Sequence, residues 1–456
     1  MATPNPAEAS LALRRFGLGP RPGDLQVILN DPRGALLEEL KHPAEVLMDN
    51  KDLLPSHVAY SRNREAEEMR RVARAAAAAA SKPVAADPGT EDAIFKAEVN
   101  ARFQRLVTAP YGLQERLVMF WSNHFSIAIS KGNEDKVMAG AFEREAIRPH
   151  VLGKFGAMLK AVEQHPAMLF YLDNNQSIGP NSRAGNGGRR GLNENLAREI
   201  LELHALGVDG GYSQADVTSL SRIITGWTVT SPDDDALYGG RFTFAPTRHE
   251  PGAHTLLGKT YEQSGLAQGE AALADLARHP STARFIARKL VTHFVSDTPS
   301  PTLVDTLTKV FLATEGDLAA VVRALVQAPE SWTTEPTKLR TPIEFVVAAA
   351  RLTGKPVDPQ AIVGPLPALG QPLWNPSGPN GFPDRADAWA TPEGLKTRLN
   401  VAARIGEQAG GADPMQLLQE ATAGAVSEAT RLAVQRAESK PQAVAILLMS
   451  PEFQRR

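Results

Sequence analysis

The chain has 456 residues, 43% of them hydrophobic and 22% charged, with 49 basic against 51 acidic side chains and no cysteine. That length supports a large buried core of one domain or two packed units, and the composition excludes wholesale disorder. The missing thiols exclude disulfides, thiolate metal sites and cysteine nucleophiles, while the formal net charge of −2 gives no electrostatic footprint for nucleic acid.

In chain order, MATPNPAEAS lacks the basic start and apolar run of a secretory signal, so it reads as cytoplasmic, with a periplasmic or exported address as the alternative. Asn5, Pro6 and Glu8 fit the N-cap, N1 and N3 of a first helix, and Gly17 fits its stop. Residues 61–80 read as an exposed, Ala-rich helix, and 81–90 as a flexible loop. From Glu91 onward apolar residues recur at helical spacing, over Tyr111–Ala128, Phe155–Gln164, Leu192–Leu206, Gln214–Gly226, Thr282–Val295, Thr341–Leu352 and on to Met449. Strand signals are confined to a short hairpin around 226–244. Three long loops rich in glycine or proline, 177–191, 231–258 and 363–387, have the character of functional loops. No stretch reaches the ~20 apolar residues of a membrane span.

These periodicities give an all-α fold, a large multi-helix domain with at most a small β-hairpin. It is a single domain, or two packed halves at about 1–230 and 231–456.

Candidate site residues are polar groups falling within apolar stripes. At ~100° per residue, His124 lies on the face of Leu113, Leu117, Phe120 and Trp121, and His293 lies among Ile286, Leu290 and Phe294. The bland reading of either is a core histidine satisfied by a backbone carbonyl. In the 192–206 helix, Glu199 projects among Leu192, Leu196, Ile200 and Leu203, and Asn195, Glu199 and Glu202 form a ridge beside Arg198. A carboxylate among leucines requires a partner, either an arginine such as those of RRFGLG or a cation. His124, Glu199, His249 and Glu250 suit a divalent metal chemically, although no metal-binding spacing motif is present. The loop SRAGNGGRRG, 182–191, enters that helix and is expected to be mobile.

The run GLNENLAREILELHALGVDGGYSQADVTSLSRIITGW resembles the signature of the bacterial DUF1800 family. The likeness extends over LALRRFGLGPRPGD, ERLVMFWSNHFSIA, HPAMLFYLDN, RHEPGAHTLLG, RFIARKLVTHFVSD, the NGFP turn and LLMSPEF. It implies a mainly helical protein whose relatives are often exported and often encoded beside a sulfatase- or phosphatase-like protein. It also implies an acidic residue after the histidine matching His249, a position Glu250 fills. The expectation is a metal-dependent hydrolase with Glu199, Arg198 and Asn195 as catalytic residues and His124, Glu199, His249 and Glu250 as ligands. The alternative is a non-catalytic partner or scaffold of that sulfatase- or phosphatase-like protein, with no nucleic acid and no membrane span.

Overall fold

A computed structural model describes residues 4–80, 89–185, 191–231, 239–332, 337–354 and 358–456. Residues 81–88 and 186–190, on which the two mobile-loop expectations mainly fall, lie outside the described residues. The fold is all-α, a multi-helix assembly that carries, among the described residues, two small antiparallel two-stranded sheets. Buried apolar side chains from Ala9 to Phe453 form one continuous cluster.

Local chemistry sets the helix ends. Asn5 Oδ1 accepts from the Glu8 N–H at the start of Pro6–Leu11, as its spacing suggests. Ser213 and Asp216 close a capping box on Gln214–Ile223, and Thr341 with Glu344 does the same on Pro342–Thr353.

β1 (Trp227–Val229) pairs with β2 (Phe242–Phe244), the hairpin expected around 226–244. A second hairpin joins β3 (His254–Leu256) to β4 (Lys259–Tyr261), within a stretch whose sequence reads partly as loop. Its two-residue turn, Leu257–Gly258, has φ of 49° and 77°. Such doubly left-handed turns match the strand twist, and glycine supplies one of them at no steric cost.

Among the described residues, three helices widen into i→i+5 segments, at Ala12–Phe16, Glu143–Ile147 and Ile200–His204. Each wide turn shifts the face presented by the residues that follow. The helix carrying Glu199 begins at Asn195; Glu199, which precedes its wide turn, is half-buried, and His204, at the turn's end, is fully inside.

Candidate functional site

The structure disperses the residues that sequence periodicity groups together. Asn195 is exposed, and Arg198 sits at the surface, donating to Glu194 Oε2 at 3.2 Å and to Gln214 Oε1 at 2.9 Å. Glu199 has neither an ion pair nor a hydrogen bond among the described residues, so the expected arginine partner is not there. Burial raises its pKa, with the Glu202 and Glu163 charges adding to the rise and His204 and Arg198 opposing it. His124 is a core histidine. Its Nε2–H meets the His204 carbonyl at 3.0 Å, and Phe120, Trp121 and Phe125 surround its ring. His249 Nδ1 bonds the Thr225 carbonyl at 2.9 Å. Glu250 accepts from the Asn181 backbone and side chain at 2.9 and 2.6 Å, which fastens the loop at Gly179–Asn181. Among the described residues, no group of three or more such side chains is placed to hold a metal ion, so the four expected ligands are not one set. The arginines of RRFGLG also have other partners: Arg14 donates to the Glu452 carbonyl and Arg15 to that of Ser331.

Glu115, Glu143 and Glu344, buried elsewhere, are neutralised by arginine. Arg148 grips Glu115 through both terminal nitrogens at 2.8 and 3.0 Å and reaches Glu143 at 2.9 Å. Glu143 also accepts from Arg102 Nε at 2.7 Å and Ser122 Oγ at 2.9 Å. Burial would raise the Glu143 pKa, but the Arg102 and Arg148 charges hold it below the usual carboxylate range. Glu344, which caps its own helix, takes Arg116 at 2.7 Å and Arg456 at 2.8 Å. Burial is again outweighed by those two charges, and its pKa is held low.

A different arrangement lies beside this lattice. Segment 371–384 straps across the helices Thr90–Thr108, Leu113–His124 and Pro280–Phe294 and lines with them a partly open cavity of about 70 Å³. The strap is firmly fastened. The Asn123 side chain donates to the Phe382 carbonyl at 2.8 Å and accepts the Phe382 N–H at 2.7 Å. Ser126 Oγ donates to the Pro379 carbonyl at 2.9 Å, and Ile129 N–H to that of Trp374 at 2.9 Å. The turn requires a glycine at 381. Its φ is 72°, and a Cβ there would lie 2.3 Å from the Asn123 carbonyl oxygen.

His293 lines this cavity together with its partner Asp384, their Nδ1 and Oδ1 atoms 2.9 Å apart. A proton on Nδ1, shared with that carboxylate, leaves Nε2 carrying a lone pair. Nε2 is buried and has no hydrogen-bond partner among the described residues. Burial pushes the His293 pKa down to about 4, against the pull of Asp384. Burial raises Asp384 in turn, but His293, Lys289 and Lys338 together lower it. The imidazole is therefore neutral at pH 7, oriented by a charged carboxylate, with its free nitrogen unused. A second pair, His204 Nδ1 and Glu163 Oε1 at 2.8 Å, repeats the motif in the solid core. Periodicity singles out His293 as a polar intruder in an apolar stripe. Asp384, 91 residues later and in a loop, carries no local signal.

No curated protein and no solved structure matches the chain. One family profile, described as "Protein of unknown function (DUF1800)", matches residues 11–455. The resemblance drawn from RRFGLG, NHF, the GLNENLAREILELHALG helix and NGFP therefore holds over nearly the whole length, and the chain belongs to the DUF1800 family.

Proposed function

We propose that the chain is a hydrolase whose general base is His293, oriented by Asp384 beneath the 371–384 strap. The observation that carries this reading is the His293–Asp384 pair, whose Nε2 is unpartnered among the described residues, in the lining of the strapped cavity. In this role Nε2 takes a proton from water as the water oxygen bonds to an electrophilic carbon or phosphorus. The same proton then passes to the departing oxygen as its bond breaks. Asp384 stabilises the imidazolium formed in between. This matters because burial alone disfavours the charged ring. Compared with the expectation from sequence, the hydrolytic reading is kept and its centre moves from Glu199 to His293.

Turnover of p-nitrophenyl acetate and p-nitrophenyl phosphate by wild type and by His293→Gln tests the reading. General-base catalysis is worth ~10²–10⁴-fold, so His293→Gln should lose that much while keeping its melting temperature within a few degrees. Equal turnover in both proteins would overturn it.

A second reading, a docking partner for a sulfatase- or phosphatase-like protein, draws on the Ser56–Ala79 helix. Met69 and Val72, one turn apart, are 66% and 56% exposed there. Under that reading Met69→Lys would abolish co-purification with such a partner and leave turnover untouched.

A further inference from the structure

The hydrolase reading uses one nitrogen of the strapped cavity, but two more are unused. Arg102 and Trp374 line the same space, and both side chains are nine-tenths buried or more. Arg102 NH1 and Trp374 Nε1 each lack a hydrogen-bond partner among the described residues. Both are obligate donors. A buried donor left bare costs the full desolvation of its N–H, so such groups in a folded protein normally face water or a ligand.

The two donors are held as a unit. The guanidinium carbon of Arg102 sits 5.3 Å from the Trp374 ring centroid, and Arg102 Nε is anchored on Glu143. Trp374 itself has a φ of 48°, a left-handed conformation costly for a bulky residue, and its carbonyl is tied to Ile129. Backbone strain of this kind persists only where the surroundings impose it. Trp374 so held is one of the residues lining the cavity. His293, whose Nε2 is an acceptor unpartnered among the described residues, lines the same cavity. Two carboxylates, Glu344 and Asp384, also line the cavity. Each is already paired, Glu344 with Arg116 and Arg456, Asp384 with His293, so neither presents an uncompensated charge.

We infer that Arg102 and Trp374 form the receptor for a small oxyanion, a carboxylate or phosphate group, and that the ligand turns a hydrogen-bond donor toward His293. Size supports this. A cavity needs roughly 10–15 Å³ to hold one water, so about 70 Å³ has room for a small acid group. The inference deepens the hydrolase reading by naming the part of the substrate or product that is held, and it rests on that reading only for the ligand's catalytic role.

The test is titration of the full-length protein with inorganic phosphate and, separately, with acetate. It is read from the Trp374 indole N–H resonance, which Trp374→Phe assigns. Saturable movement of that resonance is expected with at least one of the two. Trp374→Phe should weaken binding measured calorimetrically by ~10-fold, and Arg102→Lys, which keeps the charge but loses the fork, by at least as much. His293→Gln should bind within a few-fold of wild type. If neither anion moves the indole resonance, or if Trp374→Phe and Arg102→Lys both bind like wild type, the cavity holds water only and the inference falls. Binding without turnover would leave the receptor standing and remove the hydrolase. Turnover with no anion effect would do the reverse.

Discussion

Arg102 belongs to two regions that treat their polar atoms in opposite ways. Its Nε belongs to the lattice of Glu115, Glu143 and Arg148, where Arg148 satisfies two carboxylates and the Val46 carbonyl at 2.9 Å. Its NH1 is unpartnered among the described residues, as are Trp374 Nε1 and His293 Nε2, and all three residues line the strapped cavity. Both regions are buried and both are built from helix-borne side chains. The lattice is closed: its bonds end on one another, and it can only hold the fold together. The cavity is open in the chemical sense, because its groups are positioned but unused. A buried polar group is informative about function when its neighbours leave it incomplete.

The largest effect should come from breaking the lattice. Glu143→Gln leaves the buried Arg102 and Arg148 short of charge, and breaking a buried pair costs ~3–5 kcal/mol. Urea unfolding measures this, and a loss below about 1 kcal/mol would show that water screens the lattice. Next comes Asp384→Asn, which keeps a side chain of the same shape but removes the charge that supports the imidazolium. Turnover should fall ~10²-fold or more, while the stability change stays small beside that of Glu143→Gln. Equal effects on stability would place Asp384 in the lattice class.

A third contrast is in pH. The folded pKa of His293, about 4, lies below its ordinary value of 6.5, so the unfolded chain binds the extra proton first. Its contribution is constant above pH 6.5 and erodes as pH falls from 6.5 toward 4, by at most ~1.4 kcal/mol per unit. Wild type should therefore lose stability relative to His293→Gln over that window, and parallel curves would contradict the assignment. The smallest effect belongs to Glu199→Gln. A half-buried carboxyl with a raised pKa and no partner gains nothing from its charge at pH 7, so the change should be neutral to slightly stabilising, within ~0.5 kcal/mol. A loss above 1 kcal/mol would restore Glu199 as a paired or liganding group.

The helices, their caps at Asn5 and Ser213, and the β1–β2 hairpin follow from local spacing, and so they are legible in sequence. The site is legible only in part. His293 stands out because it interrupts an apolar stripe. Asp384, Arg102 and Trp374 do not, because what makes them informative is mutual placement across helices and a distant loop. Glu199 falls short of the burial its stripe suggests, being half-buried and, among the described residues, unpaired. A constant 100° per residue also cannot register the wide turn at Ile200–His204, at whose end His204 is fully inside. The buried carboxylate–arginine pairing anticipated for Glu199 does occur, at Glu344 with Arg116 and Arg456. The second hairpin is missed because HTLLGKTY alternates over only three residues on each side of its turn.

The central claim, that His293 is a neutral, Asp384-oriented base with an idle Nε2, is tested most directly by nitrogen NMR of the ring. With ¹⁵N-labelled histidine, and with His293 assigned by its loss in His293→Gln, the long-range proton–nitrogen pattern reports which nitrogen bears the proton. The account expects a single Nδ1–H tautomer from pH 8 down to pH 5, with protonation only near about 4. An Nε2–H tautomer, or a ring doubly protonated at pH 6, would contradict it.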